Sequence, residues 1–307
     1  MLGLSLVVTA LVAGCGGGGA KQGATPSAGT SGGFPATVTA ANGKVTIPAR
    51  PKRIISLSPA NTEMLYAVGA GGQVSAVDDQ SNYPANAPRT KLSGFKPNAE
   101  AIIAKSPDLV VLSDDMNGIV KALTKVKIPV IQSPAATKLS DSYTEMQNLG
   151  TATGHADQAR KAVATMKKGI ADAVAGVKKP AKPLTYYHEL DPAFHSATSQ
   201  TFIGQVYGLF GLRNIADKAK EQAGGYPKLS AEYIAEADPD LIFLADTKCC
   251  GQSAATVGKR PGFEKLSAVR DGNVVALDDD IASRWGPRVV NLVQQVGQAV
   301  TKAEKAQ

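Results

Sequence analysis

Little in this chain is equipped for catalysis. A zinc or manganese site needs a cluster of histidines and carboxylates, and the only histidines are His155, His188 and His195, so no metal centre is expected. His188 is followed by Glu189, but strand alternation would send the two to opposite faces. Asp278, Asp279 and Asp280 form an acidic run that reads as a solvated strand end. No GxSxG elbow is present, no GxGxxG follows a strand, and there is no P-loop. The glycines of GAGG (Gly69–Gly72) come after a helical stretch, where they act as a C-cap and turn. Cys249 and Cys250 are adjacent, which fits either a vicinal disulfide or two free thiols in a loop, and neither a CxxC redox pair nor a zinc site. Enzymatic chemistry is therefore not expected.

The residues suited to binding are better placed. Aromatics make up only 5% of the chain, yet Tyr83, Phe95, Tyr226 and Trp285, the sole tryptophan, all fall in loops, where burial does not demand them. Aromatic walls with a few polar groups suit a large, flat or apolar ligand. After the strand RIISL comes SPANTE (Ser58–Glu63). Ser58 is the expected N-cap and Pro59 the first helical residue. The first turn over Ala60 and Asn61 then offers free backbone N–H groups to a ligand. Arg284, beside Trp285, is the main basic group expected at such a site, with Arg288 one helical turn on. Glu100 and Glu232 stand in the first turns of two expected helices, where a carboxylate gains about 0.3–1 kcal/mol from the dipole, and they would also make two matching negative knobs.

Those loops must be held by strands and helices. From Lys44 onward, β-branched runs alternate with helical patterns: KVTI, Arg53–Leu57, Val74–Asp78, Asp108–Leu112 and Pro129–Gln132. A second series follows Pro183: LTYYHE, FHSAT, Leu241–Ala245 and Asn273–Leu277. This is the βαβ pattern of mostly parallel sheets. In such sheets ligands bind beyond the carboxyl ends of the strands. Between the series, Ala159, Ala162, Val163, Met166, Ile170, Ala173, Val174 and Val177 recur at three- and four-residue steps and form one apolar helical stripe. Gly154 precedes it, and Pro180 and Pro183 follow. The expected fold is α/β: an N-terminal lobe over residues 44–153, a single long connecting helix over 154–180 and a C-terminal lobe over 181–307. An ungapped internal repeat supports two equivalent lobes. Asn98–Asp114 and Ser230–Asp246 match at Glu100/Glu232, Ile102/Ile234, Pro107/Pro239, Asp108/Asp240 and Leu112/Leu244. Each copy reads as an N-capped helix, a turn and a buried strand.

The first 43 residues differ in kind. Residues 1–14 form a short apolar run ending in Val12, Ala13 and Gly14 before Cys15, the pattern of a secretory signal with a lipobox. Met1–Gly14 contains no Lys or Arg, so the true start is expected upstream of Met1. The stretch after Cys15 is Gly-, Ser-, Ala- and Thr-rich and is expected to be a flexible tether over 15–43. A lipidated Cys15 would anchor the chain at the outer face of the cytoplasmic membrane. The remaining composition, 43% hydrophobic and 19% charged, excludes wholesale disorder. No apolar run reaches the roughly 20 residues of a spanning helix. The net charge of +7 comes from 33 Lys+Arg against 26 Asp+Glu. These are scattered rather than striped, which argues against a nucleic-acid partner and allows mild attraction to an anionic membrane.

Lipobox, tether, two lobes on one helix and these motifs together resemble the substrate-binding proteins of ABC importers for cobalamin, ferric siderophores and haem. The resemblance runs from about Lys44 to the C-terminus and is strongest to the cobalamin branch, through Arg53–Gly69 and the SNYP at Ser81–Pro84. It implies two Rossmann-like lobes of the class III periplasmic-binding-protein type. It also implies a monomer with no resident cofactor, a metal-chelate cargo in the cleft, and a permease with its ATPase as partners. Carried over residue by residue, the corrinoid-holding aromatics are Tyr83, Phe95, Tyr226 and Trp285; Phe95 and Tyr226 stand where that branch has tryptophan. The same resemblance makes Glu100 and Glu232 the permease-docking pair. A ferric siderophore or haem is the alternative cargo.

Overall fold

The computed structural model describes residues 33–306; the signal segment, Cys15 and the tether as far as residue 32 lie outside the described residues. The chain first folds back on itself as a hairpin, β1 (Ala36–Ala40) and β2 (Gly43–Ile47), paired antiparallel. Gly43 takes the turn at φ +98°, open to glycine at no steric cost. β1 corrects the tether boundary expected from composition. ATVTA alternates, and Ala36 and Val38 are buried by that alternation, although the short segment follows a Gly/Ser tract. The tip of the hairpin docks on the next sheet, where the Asn42 amide donates to the Val130 carbonyl and accepts from the Gln132 N–H.

The first lobe continues through β3 (Ile54–Leu57), α1 (Pro59–Ala67), β4 (Val74–Asp78), β5 (Arg89–Leu92), α2 (Ala99–Ile103), β6 (Leu109–Leu112), α3 (Ile119–Lys125) and β7 (Val130–Gln132). Its five-stranded sheet has the order β5-β4-β3-β6-β7, all parallel. Two helices then run back to back, α4 (Leu139–Thr153) and α5 (Ala156–Ala175). They are separated by Gly154 in the left-handed region at φ +78°. α5 buries Ala159, Val163, Met166 and Ile170, the stripe read from the sequence, and ends before Pro180. The second lobe holds β8 (Thr185–Glu189), α6 (Phe202–Gly208), β9 (Arg213–Asn214), α7 (Ala231–Ala237), β10 (Leu241–Leu244), α8 (Thr247–Cys250), α9 (Ala254–Val257), α10 (Ser267–Arg270), β11 (Val274–Ala276), α11 (Asp279–Ala282) and α12 (Val289–Ala306). Its four strands follow the order β11-β10-β8-β9, again parallel. The expected strand FHSAT is not one. Phe194–Thr198 makes only an isolated bridge, His195 with Lys228, and the sheet edge is taken by the two-residue β9.

The internal repeat has a physical purpose. Asn98 and Ser230 cap α2 and α7 by accepting from the N–H of Ala101 and Tyr233. Asp108 accepts the N–H groups of Lys52 and Arg53, both at 2.9 Å, and Asp240 accepts the N–H and hydroxyl of Thr185 at 2.7 and 2.8 Å. Each aspartate thus staples the start of its own strand, β6 or β10, to the start of the neighbour it pairs with, β3 or β8.

Strand alternation sorts the core into layers. Ile54, Val77, Leu109, Val111 and Ile131 of the first sheet join Tyr186, Leu241 and Phe243 of the second, together with α4, α5 and α12, in one continuous apolar cluster. The alternate residues face the outer layers: Ile55, Leu57, Val110 and Leu112 on one lobe, Tyr187, Ile242 and Leu244 on the other. One core therefore runs through both lobes, so more than the connecting helix joins them. In each sheet the strand order reverses beside its first long strand, between β3 and β6 and between β8 and β10. Those are the points where a crevice opens at the carboxyl ends.

Candidate ligand cleft

At the first of these points lies a cavity of about 420 Å³, lined among others by Leu57, Ser58, Pro59, Ala60, Asp78, Phe95, Arg284 and Trp285, a size within the range of small-molecule sites. Its floor is the end of β3 and the start of α1. Ser58 sits at the N-cap in extended conformation without a side-chain cap bond, and Pro59 is the first helical residue. Phe95 is brought over the floor by Gly94, where a Cβ would run into the Leu57 carbonyl; the ring is 70% exposed. Trp285 forms another part of the wall, on the segment between α11 and α12.

Of the nine residues expected at the site, Ser58, Pro59, Ala60, Phe95, Arg284 and Trp285 line this cavity, and Asn61, Tyr83 and Tyr226 do not. Asn61 is fully buried, its amide donating to the Ser133 carbonyl at 3.1 Å, so it ties α1 to the loop after β7. Tyr83 is half exposed with the Arg288 guanidinium 4.3 Å from its ring centre. Tyr226 is exposed on a loop of the second lobe.

Arg284 lines the cavity, as the sequence reading expects, but its guanidinium is already engaged. Glu63, which that reading passed over, is buried and takes Arg284 at 2.9 Å and Arg288 at 2.6 and 2.9 Å. Arg284 also bonds Asp280 at 2.6 Å and the Asn82 side chain at 2.8 Å. The i,i+4 spacing of the two arginines was visible; their shared acid, more than 200 residues away, was not. The segment of Asp280–Arg288 therefore reaches from the second lobe onto the first and closes the seam. The cleft itself is left with carboxylates. Asp78, at the end of β4, is buried, and burial raises its pKa despite the Ser81 N–H it accepts. Asp114 and Asp280 also line the cavity.

Other expected groups are dispersed. Cys249 and Cys250 are bonded to each other, on an exposed turn whose backbone N–H groups are gathered by Asp279. The acidic run is thus a structural cap rather than a free cluster. Asp280 is held below its usual range because bonds from Asn82, Arg284 and Lys248 outweigh the effect of burial. His188 is buried against the Tyr207 hydroxyl, and burial drives its pKa down to about 3. Among the described residues no group of three His, Cys, Asp or Glu is arranged to hold a metal ion. At the second reversal point, Arg260 grips the buried Glu189 through two bonds of 2.6 Å. Asp246 beside it is raised to about 7 by burial and by Glu189. Glu100 and Glu232 are exposed in the first turns of α2 and α7.

Comparison with known proteins matches this geometry. Residues 54–281 match the family model described as "Periplasmic binding protein". An uncharacterized ABC transporter substrate-binding lipoprotein of Bacillus subtilis is 29% identical over 87% of this chain and 86% of its own length. A cobalamin-binding protein of Halobacterium salinarum is 30% identical over 87% of this chain and 74% of its own. Among solved structures, the periplasmic vitamin B12 binding protein of Vibrio cholerae superposes with TM-score 0.70 at 25% identity, covering 84% of this chain and all of that one. The periplasmic heme binding protein of the same organism reaches 0.70 at 25% identity, covering 80% and 97%.

Proposed function

The chain belongs to the periplasmic binding protein family, the substrate-binding components of ABC importers for vitamin B12, haem and siderophores, and we propose that its cargo is a cobalamin-type corrinoid. It acts by binding and handing over rather than by chemistry, and its partners are the permease and ATPase of such an importer. Cys15 would carry the lipid that holds it at the outer face of the cytoplasmic membrane, since the segment around it has lipobox order and a relative is named a lipoprotein.

The observation that carries the cargo assignment is the charge of the cleft. Its lining holds two carboxylates outside any ion pair, Asp78 and Asp114, and one cation, Arg284, whose guanidinium is already occupied by Glu63 and by the third carboxylate of the lining, Asp280. A ligand bearing carboxylates or catecholates would bring like charge against them with no free cation to meet it. A corrinoid bears a rim of neutral amides, whose N–H groups find acceptors here, and a flat face for Phe95 and Trp285. Haem would in addition want an axial His or Tyr; His188 is sealed in the core, and Tyr83, Tyr226 and His195 are not part of the cavity lining. The relatives named for cobalamin and vitamin B12 point the same way.

Calorimetric titration of the purified protein against cyanocobalamin, a ferric hydroxamate and haemin tests this. Saturable one-to-one binding of cyanocobalamin, with haemin at least about tenfold weaker, is the expected outcome. Preference for haemin or the hydroxamate would replace the corrinoid with that cargo.

A further inference from the structure

Trp285 is held from outside the cleft. Its indole N–H donates to the Glu145 carboxylate at 3.0 Å, and its backbone carbonyl accepts the Ser142 hydroxyl at 2.5 Å. Both partners sit on α4, less than one turn apart, while Trp285 belongs to the segment that crosses from the second lobe. Helix α4 therefore grips the residue at ring and main chain alike. Glu145 does not line the cargo cavity. It faces a second one of about 330 Å³, bounded by the hairpin, the loop after β7 and α4.

We propose that Glu145 is the positioning residue of the cleft, which holds the Trp285 ring against the cargo through one hydrogen bond across the seam and so couples cargo affinity to its own ionisation. This rests on the reading of that cleft as the cargo site. An indole has a single N–H, so nothing else can fix the rotation of the ring as directly. The bond is charge-assisted when Glu145 is ionised. Burial, however, works against the charge and raises the carboxyl to about 7, with the bond from Trp285 opposing and Asp141 adding to the rise. A residue serving stability alone would do better as a glutamine, which accepts the same bond without a charge to bury. The charged neighbours are few. Asp141 shares the second cavity and lies 4.0 Å from Lys138. On the cleft side stand Asp78, Asp114, Asp280 and the engaged Arg284.

The sign follows. Below about 7 the carboxyl is neutral and accepts more weakly; above it the carboxylate holds the ring firmly. Because Trp285 is the only tryptophan, intrinsic emission reports it alone, with or without cargo. In the cargo-free protein, emission should titrate with a midpoint near 7, and cyanocobalamin should bind about fivefold more weakly at pH 6 than at pH 8. Glu145→Gln should bind within about threefold of the native protein at pH 8 and lose both pH dependences, while Glu145→Ala should bind about tenfold more weakly at either pH. Native emission flat between pH 6 and 8, a pH dependence that survives in Glu145→Gln, or Glu145→Ala binding like the native protein would each overturn the proposal. If the native protein binds no corrinoid, the cargo assignment falls by itself, and the cargo-free emission of the native protein and Glu145→Gln still decides the role of Glu145.

Discussion

Residue chemistry was legible where the local chain dictates it and obscure where it depends on a distant partner. Ser58 and Pro59 are set by the strand-to-helix turn they build, so their place on the cleft floor follows from SPANTE itself. Phe95 reaches the cleft because Gly94 permits close approach, a signal present in SGFKP. Arg284 lines the cavity, but no local pattern announces that Glu63 will neutralise it. Glu63 is the acid to test. It is fully buried beneath Arg284 and Arg288, at 10% and 17% side-chain exposure, and removing one partner of a buried pair costs far more than the intact pair contributes. Replacing Glu63 by Gln should destabilise the fold by about 3 kcal/mol, which for a chain of this size lowers Tm by roughly 5 °C. A thermal melt superimposable on that of the native protein would show that the arginines find other partners and that the seam does not depend on Glu63.

At the scale of elements, strands were read where β-branched runs are long enough to alternate, as in Ile54–Leu57 and Leu109–Leu112, and missed where they are not. β9 is two residues long, below any periodicity. In FHSAT the alternation is spent otherwise: Thr198 uses its backbone in pairing with Gly225 and in accepting from Thr201. The repeat carried more than it showed on its face, since its paired aspartates staple parallel strands at their starts. Asp108 receives two backbone N–H bonds, and charge-assisted bonds are worth more than neutral ones. Because Asp108 is only partly buried, Asp108→Ala should cost about 1–2 kcal/mol, and Asp108→Asn about half of that, since its amide oxygen can keep one acceptor role while the NH₂ cannot take the other. Urea titration measures both. Equal stability of all three proteins would mean that β6 pairs with β3 without the staple.

For the whole molecule, two α/β lobes about a helix could be inferred from the order of patterns, but their shared core could not, because it is a property of no single segment. The pairing of lobes bears on how the protein meets its importer. α2 leads from β5 to the parallel β6, and α7 leads to β10 in the same sense, so both helices begin at the carboxyl edges of the sheets, the edge that carries the cleft. Glu100 and Glu232 are exposed in the first turns of those two helices, one on each lobe. Glu232 is held below its usual range by its own N–H and by the Ser230 hydroxyl, so it is charged throughout the physiological range. Two negative points suit a partner with two matching cations. Exposed ion pairs contribute only about 0–1 kcal/mol each, so their effect is to orient docking rather than to drive it. Replacing both by Ala should leave cyanocobalamin affinity unchanged, slow association with the permease, and reduce uptake into proteoliposomes carrying the importer. The loss should be greater at low ionic strength than at high, because screening weakens what the substitutions remove. Unreduced uptake at low salt would dissociate these acids from docking, and a loss of cargo affinity would place them in the cleft instead.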